Sequence, residues 1–212
     1  MTPVEEDMII EVPNGSSLEA RLTLSDAPRG GVVVCHPHPL YGGDMDNPVV
    51  VRAVEVATQD GLSTCRFNFR GVGRSTGAHA KGEGEQDDVK AALAFLGRRL
   101  PAGAPLGLAG YSFGAWVSAS VAASGTSLAA LCLIAPPLSM FDFATLAGSN
   151  CELLIVAGTR DTYCPTGGLA ALAEQVPAAR VETIEGADHF FFGKLFPLGE
   201  MIRSWTDRWA RR

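Results

Sequence analysis

The chain of 212 residues is long enough to bury a sizeable core, and we expect one domain over residues 1–212. Hydrophobic residues make up 47% of it and charged residues 19%, a composition typical of globular rather than disordered proteins. The formal net charge of −6 argues against nucleic acid or an anionic membrane surface as the main partner.

Five cysteines are scattered along the chain without C-x-x-C spacing, and several lie in predicted strands. Their odd number and scatter argue against a disulfide framework and favour a reducing compartment. Residues 1–7 are acidic and lack an apolar core, so we expect no signal peptide. No apolar run approaches the ~20 residues of a membrane span. These features predict a cytoplasmic protein.

Short apolar runs alternate with helical stretches, which predicts a mainly parallel sheet with helices on both faces. The first two strands are joined by the turn sequence Pro13-Asn14-Gly15-Ser16, which predicts an antiparallel hairpin at the sheet edge. In chain order the predicted strands are residues 8–12, 18–24, 31–35, 63–69, 106–109, 128–135, 152–157 and 180–184. The predicted helices are residues 48–59, 83–100, 115–123, 168–175 and 196–211.

The connection between Pro136 and the strand near Cys151 is short. It holds only about fifteen residues, within the upper range of ordinary connections. A lid domain does not fit into such a length, so we expect an open site.

The pentapeptide Gly110-Tyr111-Ser112-Phe113-Gly114 has the G-x-S-x-G pattern. That pattern occurs by chance in loops, but here an apolar strand precedes it and a helical stretch follows, as a nucleophile elbow requires. The small residues two positions before and two positions after Ser112 let strand and helix approach closely. We therefore predict that Ser112 is a nucleophile and that the Phe113 N–H stabilises an oxyanion.

A serine nucleophile needs a general base and an orienting carboxylate. His189 is the only histidine after Ser112, and it follows the last predicted strand, so it is the candidate base, with a core or surface histidine as the alternative. Asp161 ends a buried strand and is the candidate acid, with a turn residue as the alternative. Asp142 is the second choice for the acid, whereas Asp188 supports the histidine loop.

The second oxyanion donor is expected in the loop 36–43, after the third strand. Its two prolines cannot donate, which leaves the N–H groups of His38, Leu40 and Tyr41. We favour Leu40, because the prolines stiffen the approach to it. A metal site at His36 and His38 would need further ligands that no nearby motif supplies, so neither metal nor cofactor is expected.

Two further segments have structural interpretations that outweigh the functional ones. The Gly71-Val72-Gly73 sequence lacks the remaining spacing of a dinucleotide fingerprint, so Arg70 beside it is expected to tie loops together. The run Phe190-Phe191-Phe192 is expected to pack in the core, with one ring available to line an acyl pocket.

With the motifs H-P-H-P-L-Y-G-G, N-F-R-G-V-G-x-S, G-Y-S-F-G and G-A-D-H-F-F in this order, the chain resembles the α/β-hydrolase superfamily. More narrowly it resembles small lidless serine hydrolases near the dienelactone-hydrolase-like branch. The resemblance implies a mostly parallel eight-stranded sheet and carboxylesterase activity on small esters. Ser112 stands where dienelactone hydrolases carry cysteine, so dienelactone activity is not expected.

The sequence hypothesis is therefore a serine hydrolase that cleaves small carboxylic esters through an acyl-enzyme. A thioesterase or a peptidase would share the same three residues, and a non-catalytic binding module with this fold is the third alternative. The physiological ester and the choice between monomer and homodimer stay open.

Overall fold

A single eight-stranded sheet organises residues 4–210, which the computed structural model describes. Its strands are β1 Glu5–Glu11, β2 Ser17–Thr23, β3 Gly31–Cys35, β4 Ser63–Phe67, β5 Leu106–Tyr111, β6 Ala130–Ile134, β7 Glu152–Gly158 and β8 Arg180–Ile184. Its helices are α1 Pro48–Gln59, α2 Glu83–Gly97, α3 Phe113–Ala123, α4 Thr166–Gln175 and α5 Leu195–Trp209.

The strands lie in the order β1-β2-β4-β3-β5-β6-β7-β8. The hairpin of β1 and β2 forms the edge, and β2 runs antiparallel to β4, whereas the pairs from β4 to β8 are parallel. The predicted edge hairpin and mainly parallel sheet are thus confirmed. Every residue of β3, β4 and β6 is buried, because parallel strands covered on both faces meet no solvent.

Helices cover both faces of the sheet, as predicted. Alternate residues of β3 belong to the two cores: Val33 lies in the core that includes residues of α2, α3 and α4, and Val34 in the core that includes residues of α1 and α5. This alternation follows from the two-residue period of a strand. Because the central strands are parallel, their carboxyl ends meet at one edge, between the two helical layers.

Most elements lie within a few residues of their predicted bounds. Strand β4 ends at Phe67 rather than at residue 69. The Ser75 hydroxyl takes the Glu19 N–H and the Asn68 carbonyl that would otherwise pair β2 with β4, and the Phe69 N–H donates to His36 Nε2. Helix α2 ends at Gly97, three residues before its predicted end. Arg211, at the end of the last predicted helix, lies outside the described residues.

The segment after β6 holds no lid. Between residues 135 and 151 the chain forms one 3₁₀ turn, Ala144–Gly148, so the carboxyl edge of the sheet stays open. All five cysteines are free thiols, and only Cys151 is not fully buried. No helix within residues 4–210 is long and apolar enough to span a membrane.

Arg70 anchors the loop after β4, as expected. Its Nη2 donates to Asp88 Oδ1 at 2.7 Å and its Nε to Asp88 Oδ2 at 3.0 Å, while its own N–H donates to Oδ2 at 3.1 Å. The Asp88 side chain has no exposed surface. Such a fork-shaped, charge-assisted contact fixes the loop against α2.

Candidate active site

Ser112 occupies the sharp turn between β5 and α3. Its backbone has φ 55° and ψ −117°, a conformation that residues other than glycine rarely adopt. The Ser112 N–H donates to Ile134 O at 2.9 Å, and the Ser112 carbonyl accepts from the first turn of α3. A Cβ on Gly114 would lie 2.5 Å from His36 O, so the glycine is required for this close approach.

Three side chains at the carboxyl edge of the sheet form a continuous hydrogen-bonded series. Ser112 Oγ lies 2.9 Å from His189 Nε2, and His189 Nδ1 lies 2.8 Å from Asp161 Oδ2. The other oxygen, Oδ1, accepts the N–H groups of Tyr163 at 2.8 Å and Cys164 at 2.9 Å. A carboxylate held by donors orients the imidazole so that Nδ1 donates and Nε2 is free to accept the serine proton.

The loop that carries His189 is fixed by contacts from neighbouring elements. The Tyr111 hydroxyl donates to the carbonyl of His189 at 3.0 Å, and the Arg160 N–H donates to Ala187 O at 2.9 Å. Asp188 Oδ1 accepts the N–H groups of Phe190 and Phe192 within the loop. Asp188 therefore shapes the loop, as expected. The contact from Tyr111 was not foreseen, although this residue lies inside the G-x-S-x-G pattern.

His36 fixes the start of the neighbouring loop. It is fully buried, its Nε2 accepts the Phe69 N–H at 3.0 Å, and its Nδ1 lies 2.6 Å from Pro37 O. Because Nε2 is an acceptor, the proton resides on Nδ1 and the ring is neutral. Burial lowers the pKa of His36 to about 4. Both ring nitrogens are thus engaged by the backbone, and the side chain has a structural position.

The N–H groups near Ser112 differ in whether they are already bonded. Those of Phe113 and His38 have no hydrogen-bond partner within residues 4–210. The Leu40 N–H, favoured from the sequence, donates to His38 Nδ1 at 3.2 Å, and the Tyr41 N–H donates to His38 O at 3.1 Å. The Leu40 side chain is 68% exposed. Two of the three candidate donors are therefore engaged within their own loop.

The remaining sequence candidates lie elsewhere. Asp142 is exposed and its Oδ1 accepts the Ala144 N–H, so it is a turn residue. Phe191 is fully buried, as expected for the core, whereas Phe190 lines the cavity beside Ser112. Phe192 is 78% exposed, so the expectation of core packing is wrong for this ring.

An open cavity of about 450 Å³ lies over Ser112 and His189. Aromatic rings from four parts of the chain contribute to its walls, among them Phe113, Phe141, Tyr163 and Phe190. Phe141 comes from the connection after β6, whose side chains the sequence did not place.

Two more histidines stand beside the cavity. The rings of His38 and His79 lie 5.0 Å apart, and His38 also lies 4.7 Å from Phe113. Burial lowers the pKa of His38, His79 lowers it further, and Glu85 partly offsets both effects. His79 Nδ1 is 2.9 Å from Glu85 Oε1 but outside hydrogen-bond geometry. Within residues 4–210 no three His, Cys, Asp or Glu side chains are grouped as metal ligands.

Comparison with known proteins agrees with this fold. A family model described as an alpha/beta hydrolase domain matches residues 32–195. The chain belongs to the α/β-hydrolase family. The match runs from β3 past the His189 loop.

Three relatives show how far the similarity extends. An alpha-beta serine hydrolase homologue from Coxiella burnetii is 37% identical, with a TM-score of 0.87, over 94% of this chain and 96% of that one. The lidless a/b serine hydrolase XC6422 from Xanthomonas campestris is 30% identical, with a TM-score of 0.87, over 97% and 94% of the two chains. The uncharacterized protein RP471 of Rickettsia prowazekii (strain Madrid E) is 32% identical over 82% of this chain and 77% of its own.

Proposed function

We propose that this α/β hydrolase is a serine esterase that cleaves small carboxylic esters through an acyl-enzyme. The observation that carries the proposal is the hydrogen-bonded series from Ser112 Oγ through His189 to Asp161, at 2.9 Å and 2.8 Å. The serine hydrolase relatives from Coxiella burnetii and Xanthomonas campestris support the same class of chemistry.

In the proposed reaction, Ser112 Oγ attacks the ester carbonyl carbon while its proton passes to His189 Nε2. Asp161 holds the imidazole in the required tautomer and stabilises the imidazolium. The C–O bond to the alcohol then breaks, and His189 returns the proton to the leaving oxygen. A water molecule, deprotonated by His189, next attacks the acyl-enzyme, which releases the acid and restores the Ser112 hydroxyl.

The negative oxygen of the tetrahedral intermediate requires donors that are not already engaged. We assign this role to the N–H groups of Phe113 and His38, which have no partner within residues 4–210. Leu40 is set aside because its N–H is bonded to His38 Nδ1. His38 follows the rigid segment that begins at the buried His36, so its N–H is held in place before substrate binds.

Covalent labelling tests the nucleophile. A fluorophosphonate should add one adduct to the wild-type protein and none to Ser112→Ala, as read by intact mass. The control variant is Ser120→Ala, on the same helix, whose hydroxyl donates to the Trp116 carbonyl and not to the proposed site. Equal labelling of wild type and Ser112→Ala would refute the assignment.

Turnover separates the esterase from the other functions that share the residues. p-Nitrophenyl acetate and butyrate should be hydrolysed, and Asp161→Asn should lower kcat by a factor on the order of 10⁴. Faster turnover of acyl-CoA or aminoacyl substrates would instead indicate a thioesterase or a peptidase. Labelling without turnover of any of these substrates would contradict the esterase.

A further inference from the structure

The cavity over Ser112 contains no formally charged side chain. Among residues 4–210, none of those that line it is Asp, Glu, Lys or Arg, and the two imidazoles are those of His38 and His189. Burial and the neighbouring His79 lower the pKa of His38, so this ring is neutral near pH 7. A charged group drawn into this space would lose water without gaining an oppositely charged partner.

In the described part of the chain, four of the six Phe and Tyr rings around the cavity form two walls; Tyr41 and Tyr111 are the other two. In the first, Phe113 and Phe141 meet edge to face at 6.3 Å, and Trp116 stacks behind Phe141 at 4.2 Å with 13° between the ring planes. This stacking fixes the Phe141 ring at the cavity surface. In the second wall, Tyr163 lies 4.7 Å and Phe190 lies 5.5 Å from the His189 ring. The rings of the first wall do not contact His189.

The proposed chemistry distinguishes the two walls. His189 must return its proton to the leaving oxygen, so the alcohol half of an ester has to lie beside Tyr163 and Phe190. The acyl half extends from the same carbonyl carbon in the other direction. It is therefore directed toward the wall of Phe113 and Phe141.

From the uncharged lining and the Phe141 wall, we propose that the site selects uncharged esters whose acyl group ends in an aromatic ring. The inference rests on the proposed esterase function and adds a substrate class to it. Phe141 is then a specificity-determining residue, and Trp116 is a positioning residue that acts through it.

Two methyl esters test the aromatic preference directly. Methyl 3-phenylpropionate and methyl 3-cyclohexylpropionate share the alcohol and the chain, and neither ring is conjugated to the carbonyl. An aromatic contact with the Phe141 wall should raise kcat/KM for the phenyl ester about fivefold over the cyclohexyl ester. Equal kcat/KM values for the two esters would overturn the proposal.

Variants of Phe141 locate the preference. In Phe141→Leu the ratio of the two kcat/KM values should fall close to one, and in Phe141→Tyr it should stay near the wild-type ratio. Phe196→Leu is the control, since Phe196 is 72% exposed and lies on α5 outside the cavity. A preference that survives in Phe141→Leu would overturn the role of this wall. If Phe141→Leu does not fold, the wild-type ratio and Phe141→Tyr still decide.

A second pair of esters tests the uncharged lining. Methyl 3-(4-carboxyphenyl)propionate should have a kcat/KM about tenfold or more below its 4-carbamoyl analogue, which has nearly the same shape without the charge. Similar values would overturn this half of the proposal. Fluorophosphonate labelling of the same preparations separates the two levels of inference. Labelled enzyme that hydrolyses every ester alike contradicts only the substrate class, whereas absence of labelling and of hydrolysis contradicts the esterase as well.

Discussion

Protonation of His36 should destabilise the fold as the pH falls. The ring is fully buried, with Nε2 accepting the Phe69 N–H and Nδ1 beside Pro37 O, and burial lowers its pKa to about 4. An unfolded chain takes up this proton near pH 6.5. The stabilisation is therefore complete above about pH 6.5 and is lost as the pH falls toward 4.

The difference between the pKa values of the unfolded and folded states corresponds to about 3 kcal/mol of unfolding free energy, of which about 2 kcal/mol is lost by pH 5. A protonated ring would also turn Nε2 into a donor facing the Phe69 N–H, which loosens the loop that carries the proposed donor His38. The site and the fold should therefore weaken together.

Urea unfolding of wild type and His36→Gln at pH 7.5 and pH 5 measures this effect. Glutamine keeps one acceptor and one donor but does not titrate, so wild type should lose about 2 kcal/mol more than the variant between the two pH values. All other ionisable groups are the same in the two proteins, so their contributions cancel in the comparison. An equal loss in the two proteins, with unchanged dependence on urea, would refute the assigned neutral state of His36.

Three further substitutions test the supports of the site. Gly114→Ala should lower the free energy of unfolding by about 2–3 kcal/mol, because its Cβ would lie 2.5 Å from a carbonyl oxygen. The control Gly148→Ala, with open space around it, should change that free energy by less than about 0.5 kcal/mol. Equal effects of the two substitutions in thermal or urea unfolding would contradict the close approach. Tyr111→Phe removes the donor to the histidine carbonyl and should cost about 1 kcal/mol and slow ester hydrolysis, so unchanged kcat would contradict its positioning role. Asp88→Asn leaves Arg70 without its charged partner and should lower the free energy of unfolding by about 3 kcal/mol. A free energy of unfolding equal to that of wild type would show that the pair is dispensable.

Local sequence signals were sufficient for the sheet and most of its helices. Continuous β-branched runs such as Val32-Val33-Val34 identify buried parallel strands, and Pro48 at the start of α1 matches the first position of a helix. The ends of elements were harder to predict. Strand β4 stops at Phe67 because the Ser75 hydroxyl and the ring of His36 take the backbone groups that would extend the pairing, and such distant partners leave no local signal.

The sequence also brought together the three side chains of the proposed triad, because the order along the chain and the ends of parallel strands limit the choice of partners. It did not identify which N–H in the loop 36–43 is free. The sequence favoured Leu40 over His38 and Tyr41, whereas the bonds inside the loop engage the Leu40 and Tyr41 N–H groups and leave that of His38 unbonded. Hydrogen-bond accounting of this kind requires coordinates.

The proposed substrate class depends on the part of the chain whose sequence carried the weakest signal. The connection after β6 was informative from its length alone, which excludes a lid, yet it supplies Phe141 to the cavity. Its partner Trp116 lies on α3, one helical turn after the proposed nucleophile Ser112. The stack therefore attaches Phe141 to the helix that begins directly after Ser112. Without a lid to enclose the substrate, only side chains held in this way can discriminate between acyl groups. Under the proposed substrate class, a rigid wall attached to α3 selects acyl groups in place of a lid, and loosening the stack of Trp116 on Phe141 should broaden specificity before it lowers the rate.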